Sequence, residues 1–182
     1  MPRFMLETRR LRLRPPETGD VHAIASQMAD WDVVKNLASA PYPYTEDHAR
    51  AFVARQEDGR AKGSDFAFAV TPKAGGALAG MCGVHLRETG LELGYWFGRA
   101  HWGQGYATEA AGEVLGFAFR NLRAGAVEAG WYHDNPASGR VLEKLGFRPA
   151  GTGLRDCAAR GTSVLCHQVI MSRAEFEQRQ AA

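Results

Sequence analysis

The chain has 182 residues, a length that suits one domain, since domains usually hold about 100–200 residues. Its composition, 45 % hydrophobic and 23 % charged, is that of a globular protein able to bury a core, which excludes a disordered or fibrous chain. With 22 Lys and Arg against 20 Asp and Glu the net charge is only +2, so the balance offers no electrostatic reason for a nucleic-acid or membrane-surface partner.

Taken in chain order, Leu11–Arg14 alternates apolar and basic residues and predicts a strand stopped by Pro15-Pro16. The cluster Arg9, Arg10, Arg12 and Arg14 then reads as its wet face rather than a phosphate-binding arm. Thr18 or Asp20 starts a helix to about Met28, and the Pro/Tyr segment 40–44 is irregular because proline restricts itself and its predecessor. Thr45 caps a second helix to about Arg60, with Glu46 and Asp47 in the first turn. Phe66–Val70, Ala77–Leu86 and Leu91–Phe97 are strand-like and separated by Gly75-Gly76 and Thr89-Gly90, which predicts an antiparallel meander. A long amphipathic helix follows from about Gly105 to Asn121, then a strand over Ala126–Tyr132, a helix over Pro136–Leu145 and a closing strand over Gly161–Met171. The strand–helix–strand crossover makes two strands parallel, so the expected fold is α/β (α+β) with a mixed, mostly antiparallel sheet of six to seven strands and about four helices.

No repeat, low-complexity tract or linker divides the chain, so residues 1–182 are expected to form one domain. No apolar run nears the roughly 20 residues that span a bilayer, and the opening MPRFMLETRR lacks a signal-peptide core. Cys82, Cys157 and Cys166 are odd in number and show no CxxC spacing, which argues against a disulfide framework or a metal site and for reduced, packed thiols in a cytoplasm. Oligomeric state leaves almost no trace in the residues; a homodimer is the working expectation.

The most informative stretch runs from Leu93 to Ala110, where a strand ends and Gly103 and Gly105 lead straight into a helix. Glycines let the backbone take φ > 0 and approach a ligand closely. The first helical N–H groups lack helical partners and point, with the positive end of the dipole, at whatever sits there. Residues 103–108 can therefore cradle a phosphate or pyrophosphate without a lysine. A P-loop is excluded, since no Gly-Lys-Ser/Thr ends the turn. A dinucleotide fingerprint fits poorly: Thr108 stands where the third glycine belongs, Glu128 lies mid-strand, and five residues separate the strand from Gly103.

This stretch resembles the GNAT superfamily of N-acetyltransferases, whose Gln/Arg-x-x-Gly-x-Gly/Ala turn binds the pyrophosphate of coenzyme A. Trp102-Gly103-Gln104-Gly105-Tyr106-Ala107 is similar, and Trp102 together with the flanking Gly-Tyr-Trp and Thr108-Glu109-Ala110 resembles the RimJ/RimL-like branch. Thr8–Pro15 resembles the opening strand of that branch. Asn135-Pro136-Ala137-Ser138 with Glu143-Lys144-Leu145-Gly146-Phe147 resembles its late strand–helix motif. The three blocks, in the expected order, reach from near the start to about residue 150.

The resemblance implies a GNAT-like domain with a splayed parallel pair, acetyl-CoA as co-substrate, no metal, and direct transfer to an amine in a ternary complex. It implies cofactor contacts from Trp96, Phe97, Trp102, Gly103, Gln104, Gly105, Tyr106, Ala107, Thr108, Asn135 and Ser138. Asn135 before Pro136 is also simply a good helix cap, and it can serve both purposes. Transfer requires a base for the amine, a site for the developing oxyanion and an acid for the thiolate. The resemblance points to Glu92 as base and Ser138 as acid, although Glu92 also fits a solvent-facing strand position and Ser138 an ordinary helix start. His133 is a second candidate base, because imidazole exchanges protons readily near neutrality; Tyr132 and Asp134 rank lower. Trp31, Tyr42 and Tyr44 either line an acceptor groove or cover the core. The acceptor is a small-molecule amine or a protein N-terminus, and a non-catalytic acetyl-CoA-binding module is the alternative function.

Overall fold

In the computed structural model residues 5–181 are described, so residues 1–4 of the opening stretch read above lie outside it. The elements are β1 (Leu6–Glu7), β2 (Leu11–Arg14), α1 (Val21–Met28), α2 (Trp31–Val34), α3 (Glu46–Lys62), β3 (Asp65–Pro72), β4 (Gly80–Arg87), β5 (Gly90–Phe97), α4 (Tyr106–Arg120), β6 (Ala126–Tyr132), α5 (Pro136–Leu145), β7 (Arg148–Cys157), β8 (Thr162–Ser172) and α6 (Arg173–Ala181). The strands form one eight-stranded sheet in the order β1-β2-β3-β4-β5-β6-β8-β7. Every neighbouring pair is antiparallel except β5 and β6.

The central strands of the sheet are buried on both faces. On β3, Phe66, Phe68 and Val70 face the layer of α4, where Val114, Phe117 and Ala118 pack, while Ala67 and Ala69 face α1 and α3 beside Ile24, Met28 and Ala49. Phe68 meets Phe117 edge-on with ring centroids 5.5 Å apart. Burying each such aromatic contributes about 1.5–3 kcal/mol before entropic costs. Leu11 and Leu13 of β2 are fully buried and Arg12 is exposed, whereas Arg14 is half-buried and pairs with the buried Asp20 at 2.7 Å, and Arg10, just before the strand, pairs with Glu109 at 2.6 Å.

Two strands and two helices go beyond the elements read individually from the sequence. The sheet has eight strands rather than six to seven because β1 adds two residues at one edge and β7 a whole strand at the other. Strand β7 contains Pro149, Gly151 and Gly153 and is mostly exposed, so no alternation announces it; its order comes from the ladder with β8. Helix α2 is a single turn capped by Asp30, and α6 buries chiefly Phe176, which stacks on Phe119 at 4.7 Å. Among the described residues no helix is long and apolar enough to cross a membrane.

Candidate active site

Strands β5 and β6 are paired only at Leu91↔Val127 and Glu92↔Glu128. Beyond that point β5 follows β4 as far as Phe97↔Gly80, while β6 follows β8. The two ladders hold the strands apart, and a wedge opens between them. Gly80 is needed on the β4 side, since a Cβ there would lie 2.2 Å from the Trp96 carbonyl oxygen. Gly98 N–H donates to Ala79 at 2.9 Å, so by strand alternation Tyr95 and Phe97 direct their backbone groups into the wedge and Trp96 directs its own to β4. The Phe97 carbonyl is not free, because Trp102 Nε1 donates to it at 2.7 Å. That bond ties the glycine turn to the strand end.

The wedge belongs to a cavity of about 1020 Å³. Its walls include Glu92, Trp96, Phe97, Trp102, Gly103, Gly105, Tyr106, Ala107, Thr108, Asn135 and Ser138, so ten of the eleven expected cofactor contacts meet there, joined by Glu92. Gln104 is the exception. Its amide turns back to donate to the Ala100 carbonyl at 2.9 Å and shapes the turn from within.

Gly103 and Gly105 adopt φ of +73° and +76°, the left-handed conformation that disfavours side chains. Gly105 is the N-cap of α4 and no side chain caps it; the first helical bond runs from Glu109 N to Gly105 O at 3.1 Å. The N–H groups of Tyr106, Ala107 and Thr108 thus have no partner among the described residues and end a fifteen-residue helix at the cavity wall. Arg99 is spent elsewhere: it pairs with Asp32 and, at 3.0 Å, with Asp30.

On the other wall, Asn135 Oδ1 accepts from Ser138 N at 3.4 Å as a helix cap, with Pro136 at the first helical position. Ser138 Oγ is 2.9 Å from the hydroxyl of Tyr95, which reaches across the wedge from β5.

Glu92 lies between two guanidiniums. Arg155 grips both carboxylate oxygens and Arg87 Nε donates to Oε2 at 3.0 Å. His133 and Asp134 do not line the cavity; Asp134 is held by Arg160 at 2.7 Å. Tyr132 lines it, but its hydroxyl donates to the Asp156 carbonyl at 2.6 Å. Of the three aromatics near the first helices only Tyr44 lines the cavity, whereas Trp31 and Tyr42 form an exposed edge-on pair.

The sequence model of the Acetyltransferase (GNAT) domain matches residues 10–148. The chain belongs to the GNAT acetyltransferase family. It is similar to an uncharacterized N-acetyltransferase p20 of Bacillus licheniformis, 31 % identical over 175 residues, covering 94 % of this chain and 97 % of the relative. A GNAT-family acetyltransferase from Bacillus anthracis shares the fold with a TM-score of 0.81 at 24 % identity, covering 94 % of this chain and all of that one. Mycobacterium smegmatis RimJ, solved in complex with CoA-disulfide, does so with a TM-score of 0.79 at 19 % identity, covering 94 % and 89 %. This GNAT protein is thus an acyltransferase of the N-acetyltransferase type.

The charges of the GNAT cavity decide what each group can do. Burial alone would raise the Glu92 pKa, but the hydrogen bonds and charge of Arg155, then of Arg87, outweigh it and hold the carboxyl below the usual carboxylate range. A carboxylate stabilised in this way is a poor proton acceptor, which argues against the base role expected for Glu92. Burial pushes the Tyr95 phenol well above its ordinary pKa, opposed by its bond to Ser138, so it stays protonated and able to donate. Two polar groups escaped the sequence reading. Tyr95 sits in a run of aromatics that reads as core, and the pair Asp65–His85 sits on adjacent strands far apart in sequence, where no motif announces it.

Proposed function

We propose that this GNAT protein moves an acetyl group from acetyl-CoA directly to a primary amine, with both substrates bound together. The carrying observation is that the uncapped start of α4 and the open β5–β6 wedge belong to one cavity. The amides of residues 103–108 suit a pyrophosphate, because unpaired donors at a helix start stabilise anionic oxygen. Arg140 and Lys144 on α5 line the same cavity without a carboxylate partner among the described residues and add positive charge for further phosphate. The wedge takes the pantetheine arm, with backbone groups of Tyr95 and the amide of Asn135 as contacts, and brings the thioester near Ser138. Structural neighbours titled as complexes with CoA or acetyl-CoA support that choice of ligand.

When the amine attacks the acyl carbon, the C–S bond breaks and the thiolate needs a proton. We assign that proton to Ser138, a reading supported by the contact of its hydroxyl with that of Tyr95 at 2.9 Å, through which the hydroxyl can be replenished. The side chains of Trp102 and Gln104 act on the shape of the turn rather than on the ligand. We assign one catalytic domain to residues 1–182 and a cytoplasmic setting. A protein N-terminus is the favoured acceptor, since two of the structural neighbours are titled as ribosomal-protein acetyltransferases acting on serine and alanine.

The test is calorimetric titration with acetyl-CoA, followed by thiol release against peptides with free N-termini and a panel of small primary amines. Micromolar binding and amine-dependent thiol release are expected. Binding without release from any acceptor would instead favour a non-catalytic acetyl-CoA module.

A further inference from the structure

We propose that His85, oriented by Asp65, is the base that takes the proton from the acceptor amine. This rests on the acetyl-transfer reading above and assigns the step that Glu92 is ill suited to perform.

The cavity is lined by three histidines, His48, His85 and His101. His48 is disqualified by its hydrogen bond. Thr45 N–H donates to its Nδ1 at 3.1 Å, so the neutral ring carries its proton on Nε2 and offers no lone pair there. His101 belongs to the turn before the α4 cradle and lies beside the Tyr106 ring, at the phosphate end. His85 has the opposite arrangement to His48. Its Nδ1 is 2.7 Å from Asp65 Oδ1, and a carboxylate can only accept, so Nδ1 carries the proton and Nε2 keeps the lone pair.

The ring edge that carries Nε2 lies over β5. It would lie 3.7 Å from a Cβ on Gly94, so the imidazole covers β5 two residues beyond the last parallel pair, where the wedge opens. A Cβ at Gly94 would make only van der Waals contact with the ring, so the imidazole lies directly over this part of β5. Asp65 is itself fixed on two sides: Ser64 Oγ donates to its Oδ2 at 3.2 Å, and its carboxylate packs against Gly59 of α3. A Cβ on Gly59 would stand 2.6 Å from Asp65 Cβ and 2.7 Å from Oδ2. A glycine inside a helix ordinarily costs about 1 kcal/mol relative to alanine, and here it makes room for the carboxylate that orients the base. His85 and Asp65 lie on the face of the sheet packed by α1 and α3, whereas Tyr95 lies in the cluster packed by α4. Base and acid therefore approach the wedge from opposite sides.

The proton balance follows. The ammonium N–H bond breaks and its proton passes to His85 Nε2 and on to solvent. The nitrogen lone pair forms the C–N bond as the C–S bond breaks. The thiolate gains a proton from the Ser138 hydroxyl, the second N–H proton shed as the amide forms restores that hydroxyl by way of water, and the net release is the one proton passed through His85 to solvent.

The experiment compares wild type with His85→Gln, Asp65→Asn and Gly59→Ala in calorimetry with acetyl-CoA and in thiol release. The acceptors are the free-N-terminus peptides and small primary amines above, and hydroxylamine, which is largely uncharged at neutral pH. His85→Gln should leave acetyl-CoA affinity unchanged and lower kcat/KM for a protonated amine by about 10²–10⁴-fold, but for hydroxylamine by tenfold or less. Asp65→Asn and Gly59→Ala should lower kcat in the same acceptor-dependent way with smaller losses. An active wild type with near-normal His85→Gln, or equal losses for both classes of acceptor, overturns the base and leaves the transferase intact. A wild type that binds acetyl-CoA but releases no thiol to any acceptor overturns the transferase reading and the base with it.

Discussion

The Tyr95 hydroxyl lies 2.9 Å from Ser138 Oγ, joining β5 to the first turn of α5 across the gap that the splayed strands leave. If Ser138 protonates the departing sulfur, Ser138→Ala should lower kcat by about 10²-fold with little change in acetyl-CoA affinity. Tyr95→Phe should cost less, because it removes only the second donor of the relay. Both losses should shrink with a pantetheine thioester whose thiol is more acidic, because such a thiol departs without help. Steady-state kinetics with the two thioesters checks this, and an undiminished Ser138→Ala effect with the better leaving group would remove Ser138 from the acid role.

Glu92 is expected to matter for stability more than for proton transfer. Replacing it by Gln leaves Arg155 and Arg87 facing each other without their shared anion, at a cost of about 1–3 kcal/mol. The sign with pH follows from the lowered folded-state pKa. The contribution is full above the unfolded value of about 4.3 and is lost as pH falls through the folded value. Thermal melts of wild type and Glu92→Gln should therefore differ at pH 7 and converge in strong acid. A constant gap would contradict the ion-pair account.

Gly105→Val should nearly abolish acetyl-CoA binding. Gly105 holds φ of +76°, which a β-branched residue resists, and the added side chain would crowd the unpaired amides of α4. Arg99→Ala should weaken binding far less, because its guanidinium is committed to Asp30 and Asp32. Calorimetry on both variants decides it; normal affinity in Gly105→Val would displace the cofactor from this turn.

Chelators and thiol reagents should leave activity in place. No group of three or more His, Cys, Asp or Glu among the described residues could hold a metal ion. All three cysteines are buried, and burial raises the pKa of Cys82 and Cys166 and so suppresses their reactive thiolates. Thiol-release assays after EDTA and after iodoacetamide test the two points separately.

The local signals carried far because they depend on neighbours in the chain. Gly103 and Gly105 before an apolar-striped helix, Asn135-Pro136 opening α5 and Gly146 closing it at φ of +92° are all stated by adjacent residues. The strand Ala126–Tyr132 and the helix Pro136–Leu145 have the bounds that their periodicity predicts. Strand β7 was illegible for the converse reason: with Pro149, Gly151 and Gly153 it carries no pattern of its own and is held by hydrogen bonds to β8.

The candidate catalytic groups divide along the same line. That this chain folds around a paired-glycine turn at a helix start and a late capped helix, and belongs with acetyltransferases, was determined by contiguous residues, because backbone conformation and capping are local. What charge Glu92 carries into the site was decided only when folding set Arg155, 63 positions away, against it. Likewise the hydroxyls of Tyr95 and Ser138 meet, and Asp65 becomes a partner of His85, only through strand pairing and splay. Proton affinity depends on every charge and dipole within a few ångströms, and those neighbours are assembled by the tertiary structure rather than by position along the chain.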